Sequence, residues 1–228
     1  FPYTTLFRSI TVSDVNALDD ATLDFTGVTG TLTITPDDSQ DYTIKGSATK
    51  KNIFTMGTGL DADDTIVGGS NATDTLTATA NGYTATTGKL NISGVEEIEL
   101  NTVTAASTID ATNITGATIR VSGDGTAGGD ASKSVTFTNL AADSTIGIGS
   151  NIADTRASYV ASTVTVGLAD ATGSSDAITF ELGKRDANDE IDALLASTGI
   201  ETVTIKDNVD AAIGDAQMTA FNAISAFG

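Results

Sequence analysis

Between residues 52 and 77 the chain reads NIFTMGTGLDADDTIVGGSNATDTLT, and this stretch concentrates side chains able to do chemistry. Taken in nines from Gly59 it gives GLDADDTIV and then GGSNATDTLT, two glycine-led turns carrying Asp61, Asp63, Asp64 and Asp74. Glycine permits a tight turn, and Asp carboxylates and turn carbonyls are hard oxygen donors. Closely spaced carboxylates repel one another unless a cation lies between them. The chemistry this composition suits is calcium binding. Ile66 and Leu76 each follow an Asp by two positions and are expected to point into a core, although the second nine fits only with one inserted residue. A second acidic turn, SGDGTAGGDASKS, offers Asp124 and Asp130 as further calcium ligands. The alternative for all six carboxylates is that of ordinary turn residues capping backbone amides.

Catalytic chemistry has less to work with. The chain holds no His and no Cys, which excludes Ser-His and Cys-His nucleophile pairs as well as thiolate or imidazole zinc sites. Glu96, Glu97 and Glu99 form the sole Glu cluster, and Glu97 is expected to alternate with the other two across the strand faces, so that no acid-base pair converges. Sugar-cleaving grooves also need stacking aromatics, and the chain has no Trp, eight Phe and four Tyr. A polysaccharide-active β-helix is therefore the third-ranked reading, and the expectation is that the protein is not an enzyme. Three sequons, at Asn71, Asn91 and Asn113, arise readily by chance in so threonine-rich a chain.

The charge balance bounds the partners. Thirty acidic against 11 basic residues give a net charge of -19, which repels phosphate backbones and anionic lipid heads. Neither nucleic acid nor membrane insertion is expected, and no apolar run approaches the roughly 20 residues of a membrane span. Without disulfides, stability must come from packing or from bound ions. A hydrophobic content of 39% in regular clusters argues for a folded chain.

The elements that must position these side chains are short strands. TLTI from Thr31, TIRV from Thr118, TIGI from Thr145, TVTV from Thr163 and TVTI from Thr202 share one alternation, apolar on one face and threonine on the other. Gly, Asp, Asn and Ser fill the gaps as turns require. The pattern predicts an all-β fold of repetitive short strands, a parallel β-helix or β-solenoid. One segment departs from it. DANDEIDALLASTG has N-cap candidates in Asp186 and Asn188, apolar residues at helical spacing and Gly199 as a stop, which predicts one short helix near residues 189–197. A helix over residues 211–221 is also expected, weakened by Gly214.

A longer period lies over the strands. SGVEEIEL at residues 93–100 returns as TGIETVTI at 198–205, and each copy follows an acidic strand start, DTLT from Asp74 and DAIT from Asp176. The expected organisation is a first β-repeat region over 10–100, a second over 101–205, and the start of a further repeat over 206–228. Residues 1–9, FPYTTLFRS, read as a translation of TTT CCC TAC ACG ACG CTC TTC CGA TCT, which resembles a sequencing-adapter oligonucleotide. The expectation is a non-native segment on a fragment from assembled environmental DNA, with native sequence beginning near Ile10.

The combination of GGS-x-x-x-D-T-L, GVE-x-I-x-L and threonine-rich short strands resembles bacterial surface-layer proteins and repeats-in-toxin-type secreted proteins. The resemblance spans residues 10–228 loosely and is sharpest at 52–100 and 176–205. It implies type I export without a cleaved N-terminal signal, calcium-dependent folding, and lattice assembly on the bacterial cell surface. The expected partners are further copies of the chain and cell-surface polysaccharide. The leading expectation is a self-assembling structural segment of an extracellular layer or filament, with an adhesin or fibre stalk as the alternative.

Overall fold

The computed structural model describes residues 9–15, 20–36, 40–70, 73–101, 105–122, 130–132, 134–149, 158–172, 174–182, 190–197, 199–207 and 224–225. Within them the protein is all-β. In chain order the first strands are β1 (Ser9–Val15), β2 (Ala21–Asp24), β3 (Thr31–Pro36), β4 (Tyr42–Lys45) and β5 (Asn52–Gly57). There follow β6 (Thr65–Val67), β7 (Thr75–Thr79), β8 (Asn91–Ser93), β9 (Glu97–Asn101) and β10 (Ser107–Asp110). The next group is β11 (Thr118–Ser122), β12 (Asp130–Ser132), β13 (Val135–Leu140), β14 (Ser144–Ile148) and β15 (Ser158–Leu168). The last are β16 (Ala177–Leu182), β17 (Glu190–Ser197), β18 (Thr202–Asp207) and β19 (Ile224–Ser225).

The chain shuttles between sheets. One nine-stranded sheet runs β1-β3-β5-β7-β9-β11-β14-β16-β18, a second runs β2-β4-β6-β8, and a third runs β10-β13-β15-β17-β19 with β12 beside β15. All strand pairs within them are parallel, and single bridges from Lys89 to Asp110 and from Ile92 to Ile114 link the second sheet toward the third. Parallel neighbours cannot be joined by a tight hairpin, so each return to a sheet needs a crossing segment, and here that segment is itself a strand of another sheet. The arrangement is consistent with a β-solenoid.

Alternation in sequence becomes alternation in burial. In β3 Leu32 and Ile34 are buried while Thr31, Thr33 and Thr35 are partly exposed. Parallel register then stacks like on like: Leu32 over Ile10, and Leu76 against Phe54 and Ile98. One core runs through these layers, from Leu32 and Ile34 through Phe54, Ile98 and Ile119 to Ile146 and Phe180. On the outward face the same register lines up Thr118, Thr145, Thr179 and Thr204, whose neighbouring pairs each support the ladder.

The helix expected near residues 189–197 is a strand instead. β17 pairs Ile191 with Tyr159, Ala193 with Ala161 and Leu195 with Val164, and β19 pairs on its other side. Helix propensity is worth only tenths of a kcal/mol per residue, whereas β15 offers backbone partners along β17 from Glu190 to Ser197 and β19 adds partners at Leu195 and Ala196. The expected caps Asp186 and Asn188, and the possible helix over 211–221, lie outside the described residues. So does the expected non-native segment apart from Ser9, which opens β1.

Candidate functional site: buried carboxylates between strand layers

The first acidic turn connects β5 to β6. Asp64 is 1% exposed, and its Oδ1 accepts the Tyr42 amide at 2.8 Å while its Oδ2 accepts the Asp61 amide at 3.1 Å. Asp61 Oδ1 in turn accepts the Asp63 amide at 2.9 Å, and Asp63 is exposed. Tyr42 stands one layer before Asp64, so the carboxylate ties the turn to the neighbouring layer. Burial pushes the Asp64 carboxyl up to about 6, against the pull of the two amides and with repulsion from Asp61 and Asp41 adding to the rise. Tyr83, whose hydroxyl donates to the Leu60 carbonyl, is also raised, by burial first and then by Asp61 and Asp64.

The raised value fixes the sign of one pH effect. The folded chain holds the Asp64 proton in a range where an unfolded chain, with the ordinary value of 3.8, has lost it. The stability contributed by this group is therefore complete below the lower value and lost as pH rises through about 6. Wild type and Asp64→Asn are expected to differ in Tm by an amount that shifts in favour of wild type between about pH 7.5 and about pH 4.5. A pH-independent difference over that range counts against the burial of this carboxylate.

The second turn, before β7, is more enclosed. Asp74 is 0% exposed. Its Oδ1 accepts the Asn52 amide at 2.7 Å, and its Oδ2 accepts Asn52 Nδ2 at 2.9 Å and the Gly69 amide at 2.5 Å. Asn52 passes the network back another step, its Oδ1 accepting the Ser47 amide at 2.7 Å and its Nδ2 donating to the Ser47 carbonyl at 3.0 Å. Looking forward, the Asp74 amide donates to Glu96 Oε2 at 2.7 Å, and the Asp74 carbonyl accepts the Glu96 and Glu97 amides at 3.3 and 3.1 Å. The turns approach so closely that a Cβ on Gly68 would lie 1.9 Å from the Gly94 carbonyl oxygen. Asp64 to Tyr42, Asp74 to Asn52, and Glu96 to Asp74 each span 22 residues, so the same reach recurs layer after layer.

The sequence repeat turns out to be this contact. In the second copy the Asp176 amide donates to Glu201 Oε2 at 2.8 Å, and the Asp176 carbonyl accepts the Glu201 and Thr202 amides, both at 3.0 Å. Gly94 and Gly199 precede the glutamates with φ of 64° and 67°, the left-handed turn that favours glycine, and Val95 and Ile200 are buried beside them. The Gly-apolar-Glu signature thus encodes a clamp in which glutamate caps the aspartate amide of the preceding layer. Gly199, expected to stop a helix, serves this turn.

No family model, no curated protein and no solved structure matches the chain.

A third cluster was not anticipated. Arg120, in the middle of β11, is 0% exposed although it alternates with the core residues Ile119 and Val121. Its guanidinium pairs with Glu97 on β9 and Glu181 on β16, and its stem crosses Gly147 of β14, where a Cβ would come within 2.2 Å of Arg120 Cγ. One side chain therefore reaches three strands besides its own, tying together the adjacent strands β9, β11, β14 and β16. Burial raises the Glu97 carboxyl, and Arg120 opposes that rise. Glu97 and Glu99 fall two positions apart on β9, on the face opposite Ile98, which corrects the expected alternation of these two residues. TIRV carried a weak signal of this site, as the one expected strand with a cation inside its alternation.

Of the six expected calcium ligands, the structure brings Asp61, Asp63 and Asp64 into one turn and sets Asp74 in the next. Asp130 opens β12, pairing with Tyr159, and Asp124 lies outside the described residues. Among the described residues no group of three or more Asp or Glu side chains converges on a common point as a metal site would. Asp64 and Asp74 have a role that needs no ion, as acceptors for buried amides. Among the described residues no helix is long and apolar enough to cross a membrane.

Proposed function

We propose that this chain is a β-solenoid structural segment of an extracellular bacterial surface layer or filament, assembling with further copies of itself. The observation that carries the reading is the carboxylate contact repeated between layers, from Asp64 to Tyr42, Asp74 to Asn52, Glu96 to Asp74 and Glu201 to Asp176. In such an array each layer leaves polar groups that only its neighbour satisfies, so stability grows with stacking and the chain is spent on length rather than on a pocket. Among the described residues Asp64, Asp74 and Glu96 accept backbone amides of neighbouring turns and Glu97 pairs with Arg120, so these acids are engaged in holding layers together. The charge of -19 suits a surface exposed to divalent cations.

Calcium enters this proposal at one place. Asp74 has three acceptor positions filled, and Asp64 has both oxygens engaged, whereas Asp63 is exposed and the half-buried Asp61 has accepted one amide through Oδ1, so this turn keeps acceptor capacity to spare. Extracellular sites of this open kind bind at about 10⁻⁴ M or more weakly. At that affinity, millimolar calcium adds about 1.4 kcal/mol and raises Tm by roughly 4 °C. Thermal unfolding in calcium and in chelator checks this, and superimposable curves overturn the calcium part alone. Sedimentation and negative-stain microscopy check the assembly part. Ordered layers or filaments are expected, and a monomer at every concentration, with and without calcium, overturns it.

A further inference from the structure

The chain contains a single Asn-Gly pair, Asn81-Gly82, just after β7. Asn followed by Gly is the pair most prone to cyclise, because a glycine nitrogen carries no neighbouring Cβ to obstruct its approach to the asparagine side chain. Here Asn81 is half-buried, Gly82 is exposed with φ of 75°, and open space surrounds it apart from the Ala105 methyl at 3.6 Å. The glycine side of the pair is held by Ser107. Ser107, 4% exposed at the start of β10, receives the Gly82 amide at 3.0 Å and the Tyr83 amide at 3.3 Å, and donates to the Ala80 carbonyl at 2.5 Å. The hydroxyl is thus saturated by the very segment that would have to move, and the Ser107 amide is anchored to the Ser134 carbonyl at 3.0 Å.

We propose that Asn81-Gly82 is a built-in deamidation site which the Ser107 hydroxyl holds shut. In the reaction the Gly82 nitrogen bonds to Asn81 Cγ, the side-chain amide C–N bond breaks, and ammonia leaves, carrying away the proton lost by Gly82. The succinimide then takes up one water and opens to aspartate or isoaspartate, so the net change is amide plus water to carboxylic acid plus ammonia. Isoaspartate places an additional carbon in the main chain directly after Ala80, whose amide donates to the Asn101 carbonyl at 2.8 Å. The product would therefore disturb the pairing of β7 with β9 as well as adding a negative charge.

The test incubates native wild type, Ser107→Ala and Ser107→Thr at mildly alkaline pH, with wild type in denaturant as the unrestrained reference. Peptide mapping by mass spectrometry, with enzymatic isoaspartate detection, follows residue 81. Denatured chain is expected to convert readily and native wild type slowly. Ser107→Ala should convert at least about fivefold faster than native wild type, the factor set by one net hydrogen bond, while Ser107→Thr stays slow. Equal rates in native wild type and Ser107→Ala overturn the proposal. If Ser107→Ala does not fold, amide hydrogen exchange of Gly82 in wild type decides, since exchange at the denatured rate overturns the restraint and strong protection supports it.

Discussion

Replacing Asp74 with alanine is expected to destabilise the fold by about 3–5 kcal/mol, with a Tm drop of roughly 10 °C. The size follows from what the carboxylate satisfies. Truncation strands the Asn52 amide, the Gly69 amide and one N–H of Asn52 Nδ2, whose other N–H keeps the Ser47 carbonyl, around a position with 0% exposure, and each buried donor left unpaired costs about 1–3 kcal/mol. Asp74→Asn should cost less. Its remaining oxygen can still receive Asn52 Nδ2 and Gly69, while its amide nitrogen meets the Asn52 amide donor to donor. Asp63→Ala, at the exposed end of the neighbouring turn, is the contrast and should stay within about 0.5 kcal/mol of wild type. Chemical denaturation of the three variants in chelator checks the ordering. If Asp74→Ala loses stability only when calcium is present, the carboxylate acts through an ion and the amide-capping role fails.

That contrast also marks how far the residues alone could be read. The strands were legible because alternation is a local property: TLTI at residues 31–34 declares its buried Leu32 and Ile34 whatever lies beside it. The repeat of SGVE and TGIE was legible as a repeat. Its meaning was not, because a glutamate capping an amide 22 residues earlier looks in sequence like any acid after a turn. The same ambiguity covers the aspartates, since both calcium ligation and amide capping call for Asp beside Gly. DANDEIDALLAS misled for a related reason. Its caps and spacing favour a helix locally, whereas the slot beside β15 is defined by residues some thirty positions away and has no local trace. Arg120 was the hardest to foresee, because its value depends on Glu97, Gly147 and Glu181, three residues on three other strands.

Arg120→Met is accordingly expected to cost about 3–5 kcal/mol, as for any buried ion network that loses one partner. Methionine fills most of the stem but leaves Glu97 and Glu181 facing each other's vicinity without a cation, beside the buried Glu99. The charge, more than the volume, should therefore dominate. Adding Glu97→Gln and Glu181→Gln to Arg120→Met removes the stranded carboxylates, and the triple variant is expected to recover a large part of the loss. Gly147→Ala approaches the same site from the other side. Its methyl would occupy the path of the Arg120 stem, 2.2 Å from Cγ, so it should destabilise without changing any charge. In the Arg120→Met background that obstacle has a flexible thioether to meet instead, and the two substitutions should combine to less than their sum. Strict additivity of Gly147→Ala with Arg120→Met would mean that the guanidinium does not pass over β14. The clamp from β9 to β16 would then have to be abandoned. Because those strands lie where the facing sheet changes from the one containing β8 to the one containing β10, loss of the clamp should also be where cooperative unfolding first separates into two steps.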